Sequence, residues 1–302
     1  MSEIIKSFIY GKVKGINTSD NMLNITVEQA DNTIMNLKTN DKSCLIEQGY
    51  IYKFEYAKSD NSERQVAYLL NASKISELED LEEVDHVYRL FDTRNPYSLK
   101  QLEETIYGYV EKIDNKILHE ITCNLIKNNE EKFFVYPAAT KLHHAYVGGL
   151  AYHTIGMLNL VDTFVQNYNY LDKNYLYSGV ILHDLGKIVE FSGVENTVYA
   201  TEGQLLGHLV IGGYFVKEEA KKLGYEDSEE ALLLEHMIIS HHGQPNFGAA
   251  KRPQTAEALV LWYLDTMDSK LRVLGEQFEH TNVGDFTDMI GVLDKVKFYK
   301  HK

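Results

Sequence analysis

The residues best equipped for chemistry are histidines and aspartates embedded in apolar runs. His153 stands in GGLAYHT, His183 and Asp184 in ILHDLGK, and His208 in QLLGHLV; His241 and His242 close ISHHG, and Asp265 lies in LWYLDTMD. Apolar neighbours on both sides predict that each polar group points inward, where an imidazole or carboxylate is costly unless compensated. Imidazole nitrogen and carboxylate oxygen together make a donor set for divalent cations. Carried on several helices of one bundle, such side chains can converge on its interior, as metal ligands do in other bundles. Asp268, one turn beyond Asp265, competes with it as a ligand. His236 precedes His241 by five residues, roughly 140° around a helix, and reads as a packed helical residue.

Other chemistries lack their hardware. GxSxG, Walker A and GxGxxG patterns are absent, which argues against acyl transfer and nucleotide-triphosphate motors. The two cysteines, Cys44 and Cys123, stand in no CxxC spacing, so neither a cysteine zinc knuckle nor a disulfide framework is expected. No apolar run approaches the ~20 residues of a membrane span, and the N-terminus lacks the pattern of a secretory signal. A cytoplasmic location without membrane attachment is the resulting expectation. The net charge of −14 opposes direct phosphate binding. The acid excess falls after residue 75, however, where bound cations could supply the positive charge a phosphate needs.

The elements that must position these groups fall into two kinds. Residues 1–75 read as five short strands, FIYGKVKGI, NMLNITVEQ, NTIMNLKT, YIYKFEYAK and QVAYLLNASKI, separated by Asn/Asp/Gly/Ser turns. Five such strands suggest a small OB-like barrel, a common binder of single-stranded nucleic acid. Tyr50, Tyr52, Phe54 and Tyr56 share one strand face, either the barrel's inner wall or a stacking platform for bases. Ile9 and Val13 face inward on the first strand, leaving Tyr10, Lys12 and Lys14 on the other face, either as contacts for a nucleic-acid strand or as a merely solvated face. An acidic stretch, SELEDLEEVDHV, opens a connecting region over 76–125. From there to the end the periodicity is helical, with Asn115, Ser228 and Thr255 as N-caps and Gly243 as a helix-ending glycine. The fold class is thus α+β and multidomain: an OB-like β-barrel over 1–75, an acidic linker with connecting helices over 76–125, and an all-α helical bundle over 126–302.

The order H…HD…H…HH…D resembles the HD-domain superfamily of metal-dependent phosphohydrolases, and HDLGK matches its HDxGK core. With KLHHAYVGGLAYHT, GQLLGHLVIGG, ISHHG and the β domain included, the chain is similar to the YhaM-type 3′-to-5′ exoribonucleases over nearly its whole length. The longer HHE…GYP signature of cyclic-dinucleotide phosphodiesterases is replaced by HHGQPNFG, which weakens that assignment.

The resemblance implies that His153, His183, Asp184 and Asp265 hold a principal metal. It implies a second metal at His208, His241 and His242, with Asp184 bridging the two; which of His241 and His242 ligates stays open. Mn²⁺ is the implied preference, and a mixed His/carboxylate set suits a transition metal better than Mg²⁺. Lys187 could bind a phosphate oxygen as a point charge. His143 and His144, ahead of the first ligand helix, are placed to contact substrate phosphate or sugar. Lys251 and Arg252, in the loop after HHG, are expected to meet the substrate backbone or to be merely solvated. The implied activity is hydrolysis of single-stranded RNA from its 3′ end to nucleoside 5′-monophosphates. Single-stranded DNA is an alternative strand, and a homo-oligomer is compatible with the pattern. The rivals are an HD phosphohydrolase acting on mononucleotides or cyclic nucleotides, and a catalytically silent RNA-binding protein.

Overall fold

The computed structural model describes residues 6–19, 22–41, 44–58, 66–92, 94–140 and 146–302. These divide into two compact units. The first takes residues up to Pro96 together with Val194–Asn196; the second takes Tyr97–Gly193 and Thr197–Lys302. The acidic connecting region expected over 76–125 is thus shared between them.

In the first unit, β1 (Lys6–Ser19), β2 (Met22–Glu28), β3 (Ile34–Thr39), β4 (Ile51–Lys58) and β5 (Ala67–Lys74) hydrogen-bond in the order β1-β2-β3-β5-β4. Because β1 pairs with β4 through its first half and with β2 through its second, the order closes on itself as a barrel. A register shift between Val13 and Gly15 lets this one long strand change partners. That dual role explains why β1 outruns the segment read from its alternation. The aromatics of β4 line the interior: Tyr52, Phe54 and Tyr56 pack with Val13, Ile25, Val27 and Leu37, and Tyr50 lies against the same cluster. The stacking-platform option on that strand is therefore lost to the core. After β5, Asp80 caps α1 (Leu81–Phe91), accepting the main-chain N–H groups of Glu82 and Glu83.

The second unit is helical: α2 (Leu99–Val110), α3 (Lys116–Lys127), α4 (Glu130–Phe133), α5 (Gly149–Asn167), α6 (Lys173–Leu182), α7 (Lys187–Glu190), α8 (Thr201–Leu223), α9 (Glu229–Ser240) and α10 (Ala256–Glu279). The Asn115, Ser228 and Thr255 side chains cap α3, α9 and α10, each accepting a main-chain N–H three residues on. Apolar faces of α5, α6, α9 and α10 meet around α6, whose Leu176, Val180 and Ile181 are fully enclosed.

Three departures from the helical reading have physical causes. The helix read through KNYLYSGVILHDLGKI ends at Leu182; residues 183–186 form a turn, and α7 restarts at Lys187. Within α8, Gly207 adopts φ 73°, ψ 155°, a conformation nearly confined to glycine, so two helical pieces meet at a kink just before His208. Beyond α10 the helical periodicity expected to the C-terminus gives way to bridges pairing Phe286 with Tyr299 and Ile290 with Val296. Asp294 and Lys295, both at positive φ, make the turn between the latter pair. Among the described residues no helix is long and apolar enough to cross a membrane.

Candidate metal centre

The helix ends create the site. His183 and Asp184 follow the last turn of α6, and His241 and His242 follow the last turn of α9, with Gly243 at φ 76° ending that helix. The last carbonyls of a helix have no N–H partner within it, and the negative end of its dipole favours cations. Two of those carbonyls are used here: His183 Nδ1 lies 2.7 Å from Val180 O, and His241 Nδ1 lies 2.7 Å from Ile238 O. A carbonyl only accepts, so both Nδ1 atoms must donate, and in the neutral ring it is Nε2 that carries the lone pair.

Those lone pairs point at one carboxylate. Asp184 Oδ2 lies 3.2 Å from His183 Nε2 and 4.0 Å from His153 Nε2; Oδ1 lies 3.3 Å from His208 Nε2 and 3.7 Å from His241 Nε2. Asp265 Oδ1 adds a second carboxylate oxygen 3.3 Å from His153 Nε2. The rings of His153, His183, His241, His242 and His208 follow one another with centroids 4.6–5.6 Å apart. His153, His183, Asp184, His208 and His241 are all buried. Yet His183 Nε2, His208 Nε2, His241 Nε2 and Asp184 Oδ1 have no hydrogen-bond partner. Native interiors seldom leave buried polar atoms unpaired, and four converging on one point fit a bound cation. Two groups have ligand atoms close enough to share an ion: His153, His183 and Asp184, and His208, His241 and His242. Asp184, with one oxygen toward each, lies where both could use it.

Charge within the site is balanced by neighbours. Burial disfavours ionised Asp184, but Lys187 and His183 overcome that and hold its carboxyl well below the usual range. The Lys187 ammonium sits 2.6 Å from Asp184 Oδ2, and burial's downward pull on it is outweighed by that carboxylate. Burial alone would keep His153 neutral; its bonds to Asp265 and Asp268 instead raise it to about 9. His241 goes the other way, kept neutral by burial and by the adjacent His242 and His183.

Asp268 and Asp265 take different sides of one ring: Asp268 Oδ2 lies 2.7 Å from His153 Nδ1, whereas Asp265 faces Nε2. One participant goes unmarked in the linear pattern, and another takes a different place from the one read there. Glu190, at the end of α7, accepts both the main-chain N–H and the Nδ1–H of His208, and Asp268, read as a rival ligand, lies against the Nδ1 of His153. A glutamate in the apolar run GKIVEF was the available signal for the first.

The remaining expected site residues lie elsewhere. His143 and His144 fall outside the described residues. Lys251 and Arg252 are exposed in the loop leading to α10. In the barrel unit, Tyr10 donates its hydroxyl to Glu83 of α1 at 2.6 Å, Lys14 pairs with Glu28 at 2.9 Å, and Lys12 is half-buried. Tyr10 and Lys14 already have protein partners.

The model of the HD domain family matches residues 150–270, the stretch that carries His153, His183, Asp184, His208, His241 and Asp265. Such a domain with this donor set binds divalent metal. The chain is 42% identical over 205 residues to proteins named 3′-5′ exoribonuclease YhaM from Bacillus pumilus (strain SAFR-032), Bacillus subtilis (strain 168) and Geobacillus sp. (strain WCH70). Those alignments cover 68% of this chain and 63–65% of the relatives, a little under two thirds of their length. The chain thus carries an HD domain and is similar, over that shared length, to the YhaM-type 3′-5′ exoribonucleases.

Proposed function

We propose that the protein is a metal-dependent 3′-to-5′ exoribonuclease that releases nucleoside 5′-monophosphates from single-stranded RNA. The observation that carries this reading is the pair of ligand groups on either side of Asp184, whose oxygens lie 3.2–4.0 Å from imidazoles of both, with buried nitrogen and oxygen lone pairs left without partners between them. Two divalent ions, a transition metal favoured over Mg²⁺ by the mixed His/carboxylate donors and Mn²⁺ in particular by the family resemblance, would supply Lewis-acid activation of water and of the phosphoryl oxygens. His153, His183, Asp184 and Asp265 would hold one; His208, His241 and His242 would hold the other, with Asp184 shared. Lys187 holds Asp184 in place and offers its ammonium to a phosphoryl oxygen. His143, His144, Lys251 and Arg252 would meet the substrate's phosphates or sugar.

The barrel is assigned the OB type and the task of gripping the strand. Five strands in a closed order, with Lys12 and Lys14 on β1, support that role. The name of the relatives supports RNA as the substrate, and a cytoplasmic location is proposed with it. The test uses oligoribonucleotides labelled at either end, with Mn²⁺ present. The expected result is progressive shortening of the 5′-labelled strand and immediate release of the 3′ label as a mononucleotide. Intact oligomers alongside turnover of free nucleotides would instead establish a mononucleotide or cyclic-nucleotide phosphohydrolase.

A further inference from the structure

The histidines of the centre are oriented in two different ways. His183 and His241 each hold Nδ1 against a carbonyl of their own helix, three residues back. His153 and His208 reach across the fold to carboxylates: His153 Nδ1 lies 2.7 Å from Asp268 Oδ2, and His208 Nδ1 lies 3.0 Å from Glu190 Oε2 and 3.1 Å from Oε1. Each of the two ligand groups therefore contains one imidazole backed by a carboxylate.

Both carboxylates are placed at some cost. Asp268 is 9% exposed and Glu190 7%, and a buried carboxylate must be paired to be tolerated. Asp268 comes so near α5 that a Cβ at Gly156 would lie 2.4 Å from its Oδ1; only glycine admits it. Arg272, itself bonded to Tyr152 Oη at 2.8 Å, steadies that oxygen from 3.5 Å. Glu190 receives both the ring and the main-chain N–H of His208 at the Gly207 kink, so it fixes the imidazole and the start of the second helical piece together. A carboxylate behind a ligand imidazole fixes its tautomer and raises its basicity toward a metal.

We infer that Asp268 and Glu190 are positioning residues that set the affinities of the two metal sites separately, Asp268 through His153 and Glu190 through His208. The inference rests on the two-ion reading proposed above. It predicts a double dissociation. In Mn²⁺ titrations followed by calorimetry, wild-type protein binds two ions, and Glu190→Gln loses about 10- to 100-fold in affinity for one of them only. Asp268→Asn loses a similar factor for the other ion only. Zn²⁺ added to ¹⁵N-histidine-labelled protein assigns each loss, through His208 nitrogen signals in the first variant and His153 signals in the second.

Wild-type affinities at both sites in both variants would overturn the inference, as would equal weakening of both sites by either one. Fewer than two ions on the wild-type protein would instead overturn the two-ion reading itself. Should a variant fail to fold by circular dichroism, the wild-type spectrum still decides. His153 and His208 must carry their protons on Nδ1 and bind Zn²⁺ through Nε2; the reverse tautomer at either ring refutes the role of its carboxylate.

Discussion

At the scale of single residues, the centre depends on Asp184 more than on any one histidine. Its two oxygens face imidazoles of both ligand groups, and its charge is held ionised against burial chiefly by Lys187 and His183. Asp184→Asn keeps the shape but removes the charge that both ions would share. Hydrolysis and Mn²⁺ affinity are each expected to fall by roughly 100-fold or more, beyond what loss of a supporting carboxylate causes. Parallel activity assays and calorimetry on folded protein check this, and RNA retention by the inert variant separates catalysis from binding. The inward polar residues were legible in the sequence because each interrupts an apolar run. What Asp268 and Glu190 do was not. Asp268 meets His153 across 115 residues and Glu190 meets His208 across 18, and neither separation leaves a periodic trace. One-turn spacing made Asp265 and Asp268 look equivalent; only the side of the ring each faces tells them apart.

At the scale of elements, the geometry of the ligand groups is made where helices stop. α6 and α9 deliver their ligands from C-terminal turns, and α8 delivers His208 by breaking at Gly207. Reading one unbroken helix through HDLGK missed this, since apolar periodicity continues on both sides of the turn and only the side-chain bond from His183 to Val180 O reveals the stop. Gly207→Ala would force a side chain into φ 73°, ψ 155° and is expected to cost about 1–3 kcal/mol. Gly186→Ala would put a Cβ 2.3 Å from the main-chain O of His208, pushing α7 and α8 apart at a comparable overpacking cost of about 1–3 kcal/mol. Urea unfolding measures both losses. Weaker Mn²⁺ binding in the folded fraction would tie them to the position of His208.

At the scale of the whole molecule, the change from β-alternation to helical periodicity was visible in the sequence, and the path of the chain between units was not. Val194–Asn196, from the segment joining α7 to α8, belongs with the barrel unit. There Glu195 accepts the main-chain N–H of Ile51 at 3.0 Å and is only 7% exposed. Burial pushes its carboxyl up to about 7, against the partial opposition of the Ile51 bond and of Lys12 and Lys74. A raised carboxyl pKa means the folded state resists ionisation. Stability from this group is full below the unfolded value near 4.5 and is lost as pH rises through 7. At pH 8 the loss is about 3 kcal/mol at 1.36 kcal/mol per unit. Glu195→Gln, which keeps an acceptor for Ile51 without the charge, is expected to stabilise the barrel at pH 8 and to change little at pH 4. Amide exchange of β4 at the two pH values reads this; equal protection of variant and wild type at pH 8 would show that Glu195 ionises freely.

The claim on which the rest depends is that His153, His183, His208, His241 and Asp184 enclose two ions. Anomalous scattering from crystals grown with Mn²⁺ tests it directly. Two peaks are predicted, about 3.5–4 Å apart, one among His153, His183, Asp184 and Asp265, the other among His208, His241 and His242, with Asp184 reaching both. A single peak, or none within reach of Asp184, would contradict it.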